Sequence, residues 1–320
     1  MLDSISSLRQ VPDILVCGES LMDVFAEGDT PTGVSLAARM GGSPFNVAVG
    51  LARMAQSVAF LGAVSRDSLG ERLMRALTAE GVDTKLLVRT DAPTTLSVVG
   101  VDPTGVPTYA FYGDEGADRQ LPLHVIDRIP SSIQAIHVGS YAMLVEPIGH
   151  TLRSLVDVWR SSALVAWDPN VRLNVASDTW RWRDLAEWML PRSHVVKVSE
   201  DDLAVLAPGA TDESFATRAL AAGVGLVVVT RGVGGASAWT RTEHARVAAV
   251  RVSVVDTVGA GDTFQAALLT GLKERGVLSA DAVASLTGRM LQEVMELAAR
   301  AAALTCARKG ADLPRRGEVR

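Results

Sequence analysis

Short runs of Val, Leu, Ile and Ala recur along the chain with helix-periodic stretches between them. They fall at Ile14 to Cys17, Val58 to Leu61, Ala135 to Val138, Ala163 to Trp167, Val195 to Val198 and Leu226 to Val229. None alternates cleanly between apolar and polar residues, so each suits a strand covered on both faces. The pattern predicts an α/β fold, a three-layer α/β/α sandwich around a mainly parallel central sheet. Ligands of such sheets bind beyond the carboxyl ends of the strands. There the chain keeps its polar residues: Glu19 to Asp23, Asp168 to Arg172, Ser199 to Asp202, Thr230 to Gly235 and Asp256 to Asp262.

Two stretches depart from this pattern. Residues 22–39 and 94–113 alternate more, carry Gly/Pro turns at Pro31 to Gly33 and Pro103 to Pro107, and lack helical periodicity. They predict a small antiparallel layer, either a lid over the strand ends or a decorative hairpin, on a single domain spanning 1–320. A further strand is expected over Val247 to Val255, then a tight turn, then a helix with Phe264, Ala267, Leu268 and Gly271 on one face. Val294 to Ala307 reads as a buried helix of a soluble protein, and Arg315 to Arg320 as a loose tail.

The 320 residues are 48% hydrophobic, enough for a large core. A net charge of −5 without blocks of like charge argues against nucleic acid as a partner. No apolar run is long enough for a membrane span. Cys17 and Cys306 form no CxxC pattern, which fits a reducing, cytoplasmic setting. The five histidines, His124, His137, His150, His194 and His244, lack metal-ligand spacing. Trp180 to Arg183 mixes aromatics with bases, but Asp184 and Glu187 offset the charge, and the segment reads as a packing helix.

Four groups of residues can carry chemistry. In Asp256-Thr-Val-Gly-Ala-Gly-Asp262, Gly259 and Gly261 let a ligand approach the backbone where the helix leaves its first N–H groups unpaired, a place suited to an anion, with the Asp262 carboxylate beside it. In Gly41-Gly42-Ser43-Pro44-Phe45-Asn46, Ser43 is an expected N-cap and Pro44 an expected first helical residue, so this can be no more than a helix start. Asn46 is a poor helix former in that first turn, and its amide can both donate to and accept from a polyol. Asp23 can accept two sugar hydroxyls or be an exposed turn residue. Arg172, after Asp168-Pro169-Asn170, can reach phosphate or sugar oxygens with its planar fork, or make a surface ion pair. Lys197 to Asp202 and Thr230 to Gly235 follow two more strands, where glycine suits a backbone lying against a flat base or a phosphate. Neither G-x-x-x-x-G-K-[ST] nor a strand-linked G-x-G-x-x-G occurs, which removes a P-loop and weakens a nicotinamide-dependent reading.

Together, Gly41 to Arg53 and Asp256 to Asp262 resemble, over nearly the whole chain, the ribokinase-like or PfkB carbohydrate kinases. The Ser-Pro-Phe-Asn form, Phe111-Tyr112, Ala117-Asp118 and Asp168 to Arg172 look most like bacterial fructokinases, with 2-keto-3-deoxygluconate kinase the nearest rival. The resemblance implies ATP-dependent phosphorylation of a sugar's primary hydroxyl, D-fructose to fructose 6-phosphate. It implies Asp262 as catalytic base and the N–H groups of Gly259, Ala260 and Gly261 as anion hole, with Arg172 bridging sugar and phosphate. Asp23, Gly41, Gly42, Asn46 and Tyr112 would hold the sugar, and Lys197, Ser199, Thr230, Gly232 and Gly235 would line the nucleotide site. Mg²⁺ is implied on the ATP phosphates. Asp202 replaces the family's metal-associated Glu and is expected to reach the ion through water. Asp256, with the backbones of Arg308 and Gly310, resembles a loop for a monovalent cation such as K⁺. Kinases of keto-acid sugars often carry Arg after the lid Tyr; here Gly113 stands there, favouring a neutral sugar, with Arg119 as an alternative carboxylate partner. A homodimer through the lid is expected. A non-catalytic sugar or nucleotide sensor is the alternative of a different class.

Overall fold

A computed structural model describes residues 11–101 and 107–320; most of the Pro103 to Pro107 turn lies outside them. In chain order, β1 (Ile14–Cys17) leads into the hairpin β2 (Leu21–Thr30) and β3 (Gly33–Gly41), then α1 (Ser43–Arg53), β4 (Val58–Leu61), β5 (Ala63–Ser65) and α2 (Ser68–Ala79). Next come β6 (Val88–Thr90), β7 (Leu96–Val101), β8 (Pro107–Tyr112), β9 (Ala135–Gly139), α3 (Ile148–Trp159), β10 (Leu164–Asp168) and α4 (Thr179–Met189). The chain continues through β11 (Val195–Ser199), α5 (Glu200–Leu206), α6 (Asp212–Ala221), β12 (Leu226–Thr230), β13 (Ala236–Trp239) and β14 (His244–Val247). Three helices follow: α7 (Ala260–Glu274), α8 (Ala280–Ala284) and α9 (Gly288–Cys306).

The central sheet runs β14-β13-β12-β11-β10-β9-β1-β4. Every pair from β4 to β12 is parallel, and β13 and β14 close one edge antiparallel. Both faces are covered, as the unbroken apolar runs require. Ile14 and Val16 pack into a core with α1, α2, α7 and α9, whereas Leu15 and Cys17 point into a second core with α3 to α6. This is the three-layer α/β/α architecture that the hydrophobic pattern predicts. Among the described residues no helix is long and apolar enough to cross a membrane.

The smaller sheet has the order β3-β2-β7-β8. Its two hairpins are antiparallel, but β2 and β7 pair parallel, Met22 opposite Leu96 and Phe25 opposite Val99. The sheet is therefore mixed where the alternation predicts an antiparallel layer, because both hairpins leave the body in the same direction and meet through their outgoing strands.

Two other expectations are corrected. No strand runs over Val247 to Val255: β14 ends at Val247, and Val250, Val254 and Val255 are exposed. The last residues are not loose, since Arg315 pairs with Glu80, Arg316 with Glu274 and Glu318 with Arg308, and Val319 is buried.

Candidate active site

The centre of the site is the junction of α1 and α7, whose N-termini meet beyond the ends of β1, β9 and β10. Gly42 precedes α1 at φ +103°, and a Cβ there would lie 2.7 Å from the Glu19 carbonyl oxygen, so only glycine fits this turn. Ser43 does not cap the helix as the sequence predicts. It is the first residue of α1, and its hydroxyl donates to Asp262 Oδ1 at 2.7 Å. One turn on, Asn46 Nδ2 donates to Asp262 Oδ2 at 2.8 Å. The two motifs, more than 200 residues apart, are thus joined through one buried carboxylate.

Gly259 caps α7 in the left-handed conformation, φ +78°. The N–H groups of Gly259 and Gly261 have no acceptor among the described residues, whereas that of Ala260 is directed to the Thr257 carbonyl at 3.2 Å. Two of the three implied anion-hole donors therefore stand free at a helix N-terminus, where phosphate oxygens are favoured.

Beneath Gly261 lies Lys197, buried and paired with Asp168 at 2.7 Å. Burial works against the Lys197 charge, but Asp168, Asp202 and Asp262 outweigh it and raise its pKa. Burial pushes Asp168 up to about 6 against the pull of Lys197, with Asp202 and Asp262 adding to the rise. The lysine is an internal counter-charge beneath the start of α7, and it is not in the wall of the slot that Thr230, Gly232 and Gly235 line, where the resemblance implies it.

A cavity of about 580 Å³ opens beside Asp262. Asp23, Gly42, Asn46 and Arg172 line it, as the resemblance implies, and Glu19, Asn170 and Phe111 join them. Asp23 has its pKa raised by burial, offset by a hydrogen bond from Ser97 and by the charge of Arg172. Gly41 does not line the cavity; it ends β3 against the Asp23 carboxylate. Tyr112 is a correction: it is 64% exposed and absent from the wall, while Phe111 is present. Adjacent residues on a strand face opposite sides, so a displacement of one residue exchanges them. Arg119 stacks over Phe111 and pairs with Asp114, outside the cavity.

Sequence reasoning did not single out Glu19. It is 1% exposed, its Oε1 accepts from the Ser43 N–H at 3.3 Å, and its Oε2 is unpartnered. Burial is the main cause lifting its pKa to about 8, with the nearby Asp118 charge adding and Ser140 and Arg172 opposing. Asn170, at φ +41°, also presents a buried Nδ2 without a partner.

On the other side of Gly261 a slot of about 240 Å³ is lined by Thr230, Gly232, Gly235, Val250, Val254 and Phe264 together with small residues of α9. The valines that read as a strand are one wall of this slot. An apolar crevice ending at free backbone N–H groups fits a nucleotide, its base in the slot and its phosphates toward Gly259 and Gly261.

Among the described residues no prepared cage for Mg²⁺ is formed. Asp202 Oδ1 accepts from the Val171 N–H and Oδ2 from the Ser199 N–H and hydroxyl, in the capping box of α5. Ser199 is engaged in the same cap. Among the described residues no three carboxylate, His or Cys groups converge as a metal set. Asp256 accepts from the N–H groups of Val258 and Gly310, and the Gly310 carbonyl accepts from Asp312 N–H, so these groups brace a turn. The Arg308 side chain turns away to Glu318 and Asp312.

This geometry, a helix start with free N–H groups and a buried carboxylate facing a polar cavity, suits phosphoryl transfer to a small polyol. Residues 11–316 match the pfkB family of carbohydrate kinases, and the chain belongs to that family. It is 34% identical to a fructokinase of Rhizobium leguminosarum bv. trifolii over 87% of this chain and 85% of that protein. Its structure resembles that of a Xylella fastidiosa fructokinase with bound ATP, with a TM-score of 0.86 and 27% identity over 96% of each chain. A Vibrio cholerae fructokinase carrying fructose, ADP and a calcium ion gives a TM-score of 0.77 and 28% identity over 94% of each chain.

Proposed function

We infer that this sugar kinase transfers the γ-phosphoryl group of ATP to the 6-hydroxyl of D-fructose. The observation that carries the reading is the meeting of Ser43, Asn46 and Asp262 at the wall of the sugar-sized cavity. Asp262 takes the proton of the attacking hydroxyl as the new P–O bond forms, and the bond to the ADP leaving oxygen breaks. Ser43 and Asn46 fix the carboxylate orientation before the sugar arrives, so little reorganisation remains for the reaction. The backbone N–H groups of Gly259 and Gly261, with Lys197 beneath, stabilise the charge on the transferred group.

A neutral sugar is supported by the cavity wall. It carries the carboxylates Asp23 and Asp262 and the protonated Glu19 against one arginine, Arg172, and Arg119 is occupied elsewhere. A keto-acid substrate would bring a further negative charge into this surface. Mg²⁺ arrives on the ATP phosphates, since the protein offers it no prepared cage. The smaller sheet acts as a lid, and its exposed Val34, Leu36 and Tyr112 form the contact of a homodimer, observable by light scattering. The two cysteines are free, in keeping with a reducing compartment.

The test is a coupled ADP-release assay across fructose, 2-keto-3-deoxygluconate, ribose and adenosine. Fructose should give the highest kcat/KM, and a preference for the keto acid or the nucleoside would overturn the substrate assignment. Asp262→Asn should lower kcat by about 10²–10⁴, the usual worth of a positioned base, with fructose affinity largely kept. Near-normal turnover in that variant rules out the assigned base, and the absence of ADP release with every sugar of the panel would instead favour a non-catalytic sensor.

A further inference from the structure

A second cavity, of about 510 Å³, lies outside the site described above, between the end of β3 nearest α1, helix α2 and the turn at 309–312. Four cationic side chains from three separate segments converge on it: Arg39 of β3, Arg72 and Arg75 of α2, and Lys309. Arg72 and Arg75, three residues apart on a helix, share one face. Among the described residues, Arg72, Arg75 and Lys309 have no carboxylate partner, and Arg39 is held by stacking over the Phe25 ring at 4.8 Å. The carboxylates close by are already taken. Asp312, the one acid in the wall, pairs with Arg53 at 2.8 Å and with Arg308; Glu71 pairs with Arg89, and Glu80 with Arg53 and Arg315.

A chain with more acidic than basic residues, 36 against 31, has acids enough to neutralise these cations. Here they are instead collected around a concave space, and apart from Arg39, which lies opposite Asp23 in the β2–β3 ladder, they have no carboxylate counter-charge among the described residues. Like charges so placed repel one another, and a bound anion would relieve that repulsion. Guanidinium forks from two elements match the oxygens of phosphate groups. The cavity is large enough for more than one phosphate, and its cations come from separate segments, β3, α2 and the 309–312 turn, so two phosphate groups can each be met by its own guanidinium or ammonium group. We propose that this groove is a binding site for a small molecule bearing two phosphate groups, separate from the catalytic cleft. It adjoins both segments that build that cleft: β3 continues into Gly41 to Ser43, and Gly310 donates to Asp256 at the start of the anion loop. The surface is thus placed where an anionic metabolite can report on the site without entering it.

The experiment is isothermal titration of the full chain with inorganic pyrophosphate and, separately, fructose 1,6-bisphosphate, with a non-hydrolysable ATP analogue saturating the anion hole. One further binding event per chain is expected, weakening as salt is raised. In the double variant Arg72→Glu/Arg75→Glu the affinity should fall about hundredfold or more, each of the two lost charge-assisted contacts being worth about 1.4 kcal/mol or better, while kcat without added anion stays at the wild-type value. Lys309→Ala, on a different segment, should weaken the same event and guards against a local folding fault in α2. Equal affinities for the two probes mean that phosphate charge alone is recognised; a preference for the bisphosphate means that the sugar is read as well. No binding to the nucleotide-saturated protein, or binding unchanged in both variants, would overturn the proposal.

Discussion

Replacing Glu19 by Gln should change how the folding stability of this protein depends on pH. Glu19 is fully buried at the start of α1, and its folded pKa stands at about 8 against a reference of 4.5, chiefly because the interior disfavours the carboxylate. The fold therefore holds a proton that the unfolded chain releases. Its contribution is fully present below about pH 4.5 and is lost as the pH rises toward 8, at about 1.4 kcal/mol per pH unit. Across the whole window the gap corresponds to about 5 kcal/mol, a large part of the stability of an ordinary domain. Glutamine resembles the protonated acid: its Oε1 can still accept from the Ser43 N–H, and it has no proton to lose. The measurement is denaturant unfolding of both proteins at intervals from pH 4 to pH 9.5. The difference between them isolates Glu19, because the other titrating groups are common to both. Wild type should fall behind the variant steadily between about pH 5 and pH 8, then run parallel to it. A difference that stays constant with pH would refute the reasoning.

Three more outcomes are expected. Gly259→Ala places a Cβ in a left-handed position and 2.7 Å from the Cβ of Ala311; thermal and denaturant unfolding should show a loss of about 1–3 kcal/mol, and kcat should fall because the anion loop must move. Lys197→Met leaves buried Asp168 without its partner and should cost about 3–5 kcal/mol in unfolding experiments, with a fall in kcat that added salt does not restore. Ser43→Ala removes one of the two donors that orient Asp262; kcat/KM for fructose should drop with a stability change of about 1 kcal/mol, and a variant as active as wild type would show that Asn46 alone suffices.

Much of the fold is written in the apolar runs because burial on both faces leaves a strand few alternatives. Ile14 to Cys17 and Val58 to Leu61 are strands with the bounds that the pattern predicts. The same rule fails at Val250 to Val255, where valines line an open slot rather than a sheet and composition cannot tell the two apart. Ser43 illustrates a different limit. Local chemistry makes it a cap, but α7 brings a carboxylate within reach from the far end of the chain, and the longer-range bond wins. Phe111 and Tyr112 were indistinguishable because a single-residue register decides which ring faces inward. Glu19 carried no motif at all; only its burial without a full set of partners marks it. Lys197 was visible as a charge near a strand end, but its depth and its pairing with Asp168 depend on how β10 and β11 lie side by side.

With the base of ATP in the slot formed by Val250, Val254, Phe264 and the small residues of α9, as proposed, the slot wall sets which phosphate donors are accepted. Its side chains offer hydroxyls at Thr230 and Thr257 and a thiol at Cys306, and are otherwise apolar or absent. Such a wall selects a purine by shape and thickness, and an apolar pocket rejects an added polar atom only weakly. Inosine and guanosine triphosphates should therefore substitute for ATP with modest loss. On that placement discrimination would be concentrated on the acceptor side, where the polar groups are fixed, and the donor would be taken largely as whichever purine triphosphate the surroundings hold in excess.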